Sequence, residues 1–257
     1  MTTPQWIEPD WPAPCRVRAA STLRIGGVSE GGYASLNLAS HVGDDANAVS
    51  ENRRRLQTAL NLPAQPLWLN QVHGINVVEA HAQSAVPAAD ASVSRTSGQV
   101  CVVMTADCLP VLFCDRDATC VGAAHAGWRG LMGGVLSATV SALEVAPDRL
   151  LAWLGPAIEQ EAFEVGEEVR EQFLARDAGD AAAFVRNARD RWQADLYELA
   201  RRELARLGVR DVYGGGFRCH ADAPRFFSYR REAKTGRMAT MVWLAEDPSG
   251  PMALTQA

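Results

Sequence analysis

Apolar residues follow two patterns along the chain: short continuous runs, and longer stretches in which they recur every three or four positions. The continuous runs are typical of strands, whereas the longer period indicates amphipathic helices. The runs predict strands over residues 17–24, 67–72, 75–79, 100–105, 111–114, 120–124, 150–154, 212–213 and 238–244. The periodic stretches predict helices over residues 44–60, 128–143, 167–174 and 195–207.

Capping residues support these helix boundaries. Asp44-Asp45 is a suitable N-cap for the first helix, and Gly208 is a natural C-cap for the last. Short strands that alternate with helices predict an α/β fold, here a single-domain layered sandwich with a mixed central β-sheet flanked by helices. No composition shift marks a linker, so this domain is expected to cover residues 1–257.

The overall composition restricts the class of protein. The 257 residues carry a formal net charge of −5 with a pI near 5.6, which argues against a broad nucleic-acid surface. The N-terminal segment has neither the basic nor the apolar region of a secretory signal, and no apolar run approaches the roughly 18 residues needed to span a membrane. We therefore expect a cytoplasmic protein that binds neither nucleic acid nor a membrane.

The cysteines are expected to be thiols or metal ligands, because the cytosol is reducing. They lie at positions 15, 101, 108, 114, 120 and 219, and none forms a C-x-x-C pair. Cys101, Cys114 and Cys120 stand in strongly apolar surroundings and are expected to act as small buried hydrophobic residues. Cys108 has a different sequence context.

Three segments place a metal-binding or nucleophilic side chain where an apolar run ends in a loop. They are Asn70-Gln71-Val72-His73-Gly74, Thr105-Ala106-Asp107-Cys108-Leu109-Pro110 and Ala123-Ala124-His125-Ala126-Gly127-Trp128-Arg129-Gly130. Ligands of open α/β sheets bind at strand ends. His, Cys and His also form a known catalytic zinc set, which leaves a fourth position for water or substrate. One interpretation is therefore a zinc site at His73, Cys108 and His125.

A second interpretation of the same residues needs no metal. Cys108 and His125 can form the nucleophile and base of a cysteine hydrolase, with Asp107 or Gln71 orienting the imidazole. The spacing alone does not decide between the two interpretations, because no local motif defines the zinc site.

Several further motifs occur in a fixed order around these segments. They are Thr22-Leu23-Arg24-Ile25-Gly26-Gly27-Val28-Ser29, Ser35-Leu36-Asn37-Leu38, His41-Val42-Gly43-Asp44, Leu154-Gly155-Pro156-Ala157-Ile158, Phe226-Phe227-Ser228-Tyr229-Arg230-Arg231 and Thr235-Gly236-Arg237-Met238. Together they closely resemble the YfiH-like family, also called laccase-domain or polyphenol-oxidase-like proteins. The resemblance covers nearly the whole chain, and several long motifs in one order are far more specific than a single short pattern.

The resemblance implies a single α/β sandwich domain that binds zinc through the residues matching His73, Cys108 and His125. It also implies purine nucleoside phosphorylase activity on adenosine, inosine, guanosine and methylthioadenosine, with adenosine deaminase activity beside it. A purine nucleoside and phosphate are therefore the expected partners, and the oligomeric state stays open. The family was earlier described as copper-dependent polyphenol oxidases, and some bacterial members are described as peptidoglycan editing factors.

Other residues are expected to contact substrate or phosphate. Residues 127–130 stand at a predicted helix start, where free backbone N–H groups favour phosphate, and Arg129 could add a bidentate contact. Arg53 is assigned to phosphate through the resemblance alone. The remaining predicted contacts are Asn37, Gln71, Tyr229 and Arg230.

Asp107 is the carboxylate nearest in sequence to a predicted zinc ligand, so it is included among the catalytic residues. Deamination needs an activated hydroxide, which zinc and a carboxylate provide in other folds. Because neighbouring side chains on an extended chain point in opposite directions, Asp107 is expected to orient His73 or His125 rather than to act on the substrate.

Three functions therefore remain for this sequence. The first is zinc-dependent phosphorolysis and deamination of purine nucleosides, and the second is a Cys–His hydrolase or amidase that edits serine-containing peptidoglycan precursors. The third is a copper-dependent polyphenol oxidase (laccase), since blue-copper sites also use a His₂Cys set. The chain has 5 histidines, too few for a multicopper oxidase, so zinc is preferred over copper. Roles for His41, Cys219 and His220 stay open.

Overall fold

The computed structural model describes residues 2–81 and 86–246. Its strands are β1 (Trp6–Ile7), β2 (Val17–Thr22), β3 (Val77–Glu79), β4 (Ala91–Ser94), β5 (Val100–Thr105), β6 (Leu109–Asp115), β7 (Val121–Ala126), β8 (Leu150–Leu154), β9 (Glu164–Val165), β10 (Phe184–Arg186), β11 (Trp192–Ala194), β12 (Asp211–Gly214) and β13 (Met238–Leu244). Its α-helices are α1 (Ala46–Leu60), α2 (Trp128–Gly133), α3 (Val135–Leu143), α4 (Glu167–Arg176) and α5 (Leu196–Leu207). Residues 1, 82–85 and 247–257 of the predicted domain lie outside the described residues.

The larger sheet has the strand order β12-β8-β6-β7-β4-β3. Its two outer pairs, β12 with β8 and β4 with β3, are parallel, whereas the inner pairs are antiparallel. The sheet is therefore mixed, as predicted. Every residue of β6, β7 and β8 is buried, which accounts for the continuous apolar runs in the sequence.

Alternate side chains of this sheet enter two different cores, because successive residues of a strand point to opposite faces. Leu109, Val111 and Phe113 of β6 pack in one apolar cluster with residues of α3 and α5. Leu112 and Cys114 of the same strand lie in a second cluster with residues of β5 and β13. Helices thus cover one face of the larger sheet, and a second sheet covers the other.

That second sheet has the order β1-β2-β13-β5, and its neighbouring strands are all antiparallel. Its outer face packs against α1, and Leu56 of this helix lies in one apolar cluster with Val102 and Met241. The layers therefore run helix, sheet, sheet, helices, which confirms the predicted α/β layered sandwich with a mixed sheet. The pairing of two sheets at its centre was not predicted, because a run buried on both faces looks the same whether a helix or a sheet covers it.

The predicted caps fix the ends of two helices. Asp45 Oδ1 accepts a hydrogen bond from Ala48 N at 2.8 Å at the start of α1, and Gly208 ends α5 with φ of 90°. The predicted helix over 128–143 is instead divided into α2 and α3 at Gly134, whose φ of 99° is left-handed. No helix within the described ranges is both long and apolar enough to cross a lipid bilayer.

The prediction of a strand over residues 67–72 is wrong. Leu67 and Asn70 form only isolated bridges, and the next strand, β3, begins at Val77. The backbone N–H groups of residues 72–74 donate to the carboxylate of Asp90, so they cannot pair with a neighbouring strand. The segment is therefore a loop, and it carries His73.

Candidate metal centre and cavity

The three predicted ligand segments meet at one edge of the larger sheet. β6 begins where β7 ends, because Leu109 pairs with Ala126 in their antiparallel ladder. Cys108 comes directly before β6, and His125 lies next to the last residue of β7. The loop that precedes β3 brings His73 to the same edge, where its Nε2 lies 3.9 Å from Cys108 Sγ.

His73, Cys108 and His125 form a compact cluster at this edge. One ligand atom from each lies within 4.8 Å of the other two. Two imidazoles and one thiolate match a three-ligand zinc site with a fourth position open to the cavity. The predicted ligands are therefore brought together, and their donor atoms fit zinc better than they fit magnesium or calcium.

Gly127 leaves the space in which the side chains of Cys108 and His73 can lie close together. A Cβ atom at this position would lie 2.9 Å from Cys108 Sγ and 3.0 Å from His73 Cδ2. The backbone of Gly127 has φ of −63°, so its requirement for glycine comes from this close approach and not from a left-handed conformation. Any side chain here would push Cys108 or His73 out of position.

Cys108 and His125 affect the protonation of one another. Burial alone would raise the pKa of Cys108, but the neighbouring His125 and His73 outweigh it and lower that pKa. Burial alone would lower the pKa of His125, but Cys108 and Asp90 outweigh it and raise that pKa. The pair therefore favours a thiolate, which is the form that ligates metal and attacks as a nucleophile.

Asp90 is fully buried and binds the segments of both histidines. Its Oδ1 accepts hydrogen bonds from the backbone N–H of His73 at 2.9 Å and from His125 Nδ1 at 2.8 Å. Its Oδ2 accepts from the N–H groups of Val72 at 3.2 Å and Gly74 at 2.6 Å. Burial opposes ionisation, but the hydrogen bonds from His125 and from these backbone groups lower the pKa of Asp90. Because Nδ1 of His125 donates to Asp90, its Nε2 is free to face the cluster.

Sequence reasoning missed Asp90, although the sequence contains a signal for it. The residue stands among alanines 88, 89 and 91, directly before β4. A carboxylate within small apolar residues is expected to be buried, and a buried carboxylate needs hydrogen-bond donors. The identity of those donors depends on contacts distant in sequence.

A cavity of about 460 Å³ opens beside the cluster. Predicted site residues in its lining are Gln71, His73, Asp107, Cys108, His125, Arg129, Tyr229 and Arg230. Its apolar lining includes Met104, Trp128, Ile158, Phe163 and Leu196. A wider groove of about 910 Å³ lies beside β1 and contains none of the predicted site residues, so its size gives no reason to place the chemistry there.

Asp107 lines the cavity but contacts neither histidine. Its Oδ2 accepts a hydrogen bond from the backbone N–H of Arg230 at 2.7 Å, and Ser228 also bonds to the carboxylate. Burial outweighs these contacts and raises the pKa of Asp107. The expectation that Asp107 orients His73 or His125 is therefore wrong, because Asp90 makes that contact. Asp107 has φ of 94°, so its backbone is left-handed and its side chain does not follow the alternation assumed for an extended chain.

The amide of Gln71 is occupied by the protein backbone. Its Nε2 donates to Met104 O at 2.8 Å, and its Oε1 accepts from Met104 N at 2.7 Å. Gln71 therefore pairs with β5 as a strand would, and it anchors the loop that carries His73. Gln71 therefore lines the cavity for a structural reason, and its amide group is not available to bind substrate.

Asn37 and Arg53 do not line the cavity. Asn37 is buried, donates to Ala39 O at 3.1 Å and accepts from Arg237 N at 2.9 Å. Arg53 Nε donates to Leu38 O at 2.9 Å, and its guanidinium lies 3.9 Å from the ring centroid of Trp68. Both residues therefore support the 37–44 loop, which brings His41 to the cavity.

The remaining predicted contact residues present charge or hydroxyl groups to the cavity. Arg129 is exposed, and its guanidinium lies 4.5 Å from the ring centroid of Trp128. Arg230 Nη1 donates to the backbone oxygen of Glu164 at 2.9 Å. Tyr229 is 53% exposed. These side chains can adjust to a ligand more readily than the buried cluster can.

The three residues whose roles the sequence left open differ in their position relative to the cavity. His41 lines the cavity together with Arg237, and burial and the charge of Arg237 lower its pKa. Cys219 is fully buried, and His220 Nδ1 lies 4.0 Å from a carboxylate oxygen of Glu159. Neither Cys219 nor His220 lines the cavity. Arg237 lines the cavity but was not predicted to contact substrate, although its motif, Thr235-Gly236-Arg237-Met238, contributed to the family resemblance.

The α/β sandwich and its His–Cys–His cluster define a laccase-domain protein. Residues 18–245 match the family described as multi-copper polyphenol oxidoreductase laccase. The chain belongs to this family, which includes the YfiH proteins.

Curated relatives of the chain carry a different functional name. Purine nucleoside phosphorylase PA4543 of Pseudomonas aeruginosa is 57% identical over 242 residues, which cover 94% of this chain and 99% of that protein. Purine nucleoside phosphorylase YfiH of Escherichia coli is 55% identical over 239 residues, covering 93% of this chain and 98% of the relative. These similarities extend over nearly the whole length of both relatives.

Solved structures have the same fold. Protein NMB0706 of Neisseria meningitidis superposes with a TM-score of 0.91 at 50% identity, covering 94% of this chain and 99% of that one. YlmD of Geobacillus stearothermophilus superposes with a TM-score of 0.85 at 30% identity, covering 94% and 96% of the two chains.

Proposed function

We propose that this protein is a zinc-dependent purine nucleoside phosphorylase that acts on adenosine, inosine, guanosine and methylthioadenosine and also deaminates adenosine. The observation that carries the proposal is the cluster of His73, Cys108 and His125 at one side of a cavity of about 460 Å³. A cavity of this volume is in the range of small-molecule sites. The names of the curated relatives support the reaction class.

The cavity offers suitable groups for both substrates. Its apolar wall of Met104, Ile158 and Phe163 can accept a purine ring, which is flat and largely apolar on its faces. Phosphorolysis breaks the bond between the base and C1′ of the ribose while a phosphate oxygen bonds to C1′. Arg129 and Arg230 can attract that phosphate, because guanidinium groups bind its oxygens through charge-assisted hydrogen bonds.

The donor set favours zinc over a copper oxidase centre. His73, Cys108 and His125 form the one cluster of three or more metal-competent residues found within residues 2–81 and 86–246. A multicopper enzyme requires several such centres, whereas a single three-ligand site suits zinc. A bound zinc ion would supply Lewis acidity and an ionisable water at neutral pH, as deamination requires. None of the six cysteines, all of which lie within the described residues, forms a disulfide, which agrees with the reducing cytoplasm that we propose as its compartment.

A Cys–His hydrolase that edits serine-containing peptidoglycan precursors is the second candidate. It is favoured by the contact series Asp90, His125, Cys108, which matches an orienting carboxylate, a base and a nucleophile. The two candidates differ in their response to metal. Hydrolysis by Cys108 should survive removal of zinc, whereas the proposed phosphorylase should not.

Incubation of the protein with adenosine tests the proposal. We expect adenine to appear only when phosphate is present, and its formation to stop after chelation and return when zinc is added. Inosine formed in the same reactions would establish the deaminase activity. The products are separated by chromatography, and the metal content of the same sample is measured. Zinc-loaded protein that releases neither adenine nor inosine would contradict the proposal and make serine-containing peptidoglycan precursors the next substrates.

Replacing Arg129 by alanine should raise the KM for phosphate by about 10-fold while changing kcat little, because a charge-assisted contact to the anion is lost. The matched control is Arg54→Ala, which removes an exposed arginine of α1 that pairs with Glu51. Initial rates at several phosphate concentrations measure the effect. An unchanged phosphate KM in the Arg129 variant would remove this residue from the phosphate site.

A further inference from the structure

The carboxylate of Asp107 has one oxygen in use and one without a partner. Oδ2 accepts from the backbone N–H of Arg230 at 2.7 Å, and the carboxylate also interacts with the side chain of Ser228. Oδ1 is buried and has no hydrogen-bond partner among the described residues, and the side chain lines the cavity beside the metal cluster. Native proteins rarely leave a buried oxygen unpaired, because its lost hydration is not replaced. The unpaired oxygen therefore indicates a group that binds here from the cavity.

The backbone holds Asp107 firmly in this orientation. Its φ of 94° lies in the left-handed region, which residues other than glycine seldom adopt. Its carbonyl oxygen accepts from Ile158 N at 2.9 Å, and its Oδ2 is bound by Arg230, so the chain is fixed on both sides of the residue. Strained conformations fixed in this way are concentrated at ligand sites.

We propose that Asp107 Oδ1 accepts a hydrogen bond from the 2′- or 3′-hydroxyl group of the nucleoside ribose, so that the enzyme selects ribonucleosides over deoxyribonucleosides. This inference rests on the proposed function and specifies its substrate class. It assigns Asp107 a direct contact with substrate in place of the orienting role expected from the sequence.

The chemistry of the proposed substrates selects the ribose hydroxyls. Adenosine carries an amino group at position 6 of its base, whereas inosine and guanosine carry a carbonyl there and an N–H at position 1. Methylthioadenosine lacks the 5′-hydroxyl. The 2′- and 3′-hydroxyls are the hydrogen-bond donors common to all four nucleosides. A carboxylate also repels phosphate, so the anion is expected to lie toward the cationic side chains rather than against Asp107.

Two substitutions of Asp107 test the proposed hydrogen bond to the ribose without straining the backbone at this position. Asp107→Gly removes both oxygens, and glycine accepts a φ of 94° without strain. Asp107→Asn keeps an oxygen for the N–H of Arg230 and replaces the unpaired Oδ1 acceptor by an NH₂ group, which can only donate a hydrogen bond. Arg129→Ala is the matched control, because it changes a cavity residue assigned to phosphate.

The experiment compares adenosine, 2′-deoxyadenosine and 3′-deoxyadenosine on each zinc-loaded enzyme at saturating phosphate. We expect the wild type to prefer adenosine over at least one deoxy analogue by about 10- to 100-fold in kcat/KM, as for a hydrogen bond to a charged group. The preference should fall below about threefold in Asp107→Gly and to an intermediate value in Asp107→Asn. Arg129→Ala should keep the wild-type preference. Because the preference is a ratio on one enzyme, a loss of folded protein does not change it.

Equal use of all three nucleosides by the wild type would overturn the inference and leave the proposed function intact. A strong preference that persists in Asp107→Gly would also overturn it, because another group would then bind the hydroxyl and a water molecule would satisfy Oδ1. Absence of turnover with every nucleoside would reject the proposed function, and the inference with it.

Discussion

Replacing Cys108 by alanine is expected to abolish stable zinc binding and to lower kcat/KM for adenosine phosphorolysis by about 1,000-fold or more. The thiolate is the one anionic ligand of the cluster, and its removal leaves only the imidazoles of His73 and His125. The fold should persist, because the chain has a large apolar core apart from the cluster. Metal analysis after dialysis and chromatography of the nucleoside products measure the two effects.

The exposed Cys15 provides the control for this substitution. Cys15→Ala should retain zinc and activity, since Cys15 lies in the groove beside β1 and not in the cavity. Full activity of the Cys108 variant would remove Cys108 from the ligand set. Normal zinc content with complete loss of activity would instead favour Cys108 as a nucleophile, as the hydrolase interpretation requires.

Replacing Asp90 by asparagine is expected to weaken zinc binding by about 10- to 100-fold, the usual effect of losing the partner of a ligating histidine. Oδ1 of Asp90 holds His125 Nδ1, while both oxygens accept backbone N–H groups of the loop that carries His73. Asparagine replaces one acceptor by a donor, so these contacts cannot all be kept. Competition with a chelator of known affinity measures the change.

Asp115→Asn is the matched control for this prediction. Asp115 is also a buried carboxylate that accepts three backbone N–H groups, those of Asp117, Thr119 and Cys120, but it lies at the opposite end of β6 from Cys108. Both variants should lower the free energy of unfolding, and only Asp90→Asn should lower zinc affinity. Equal zinc affinity of the Asp90 variant and the wild type would show that Asp90 supports the fold alone.

The sequence predicted the ligands but not the residue that arranges them. His73, Cys108 and His125 were identifiable because each combines a metal-binding side chain with the end of an apolar run. Asp90 acts through contacts with residues 72–74 and 125, which only the folded chain brings close. The same contacts explain the incorrect strand over residues 67–72, since a pattern of side chains does not reveal where backbone N–H groups are bound.

The limits of the other predictions have similar causes. Helix and strand boundaries were found where capping residues or fully buried runs mark them, as at Asp45 and along β5. The short strands β9, β10 and β11 were missed because they pair at the surface without a continuous apolar run. Asn37 and Arg53 were predicted to bind substrate, but the structure places them behind the cavity wall, and a motif cannot distinguish a residue that binds ligand from one that supports its neighbour.

The hydrogen bonds between Asp90 and both histidine segments also affect how the metal binds. Because one carboxylate binds both histidine segments through hydrogen bonds that involve no metal, the entropy of bringing these distant ligands together is lost during folding and not during metal binding. Zinc fingers differ, since their chains become ordered only when zinc binds. Loading of this centre should therefore be fast, limited by exchange of water from the ion and release of the thiol proton, and should leave the remainder of the chain undisturbed.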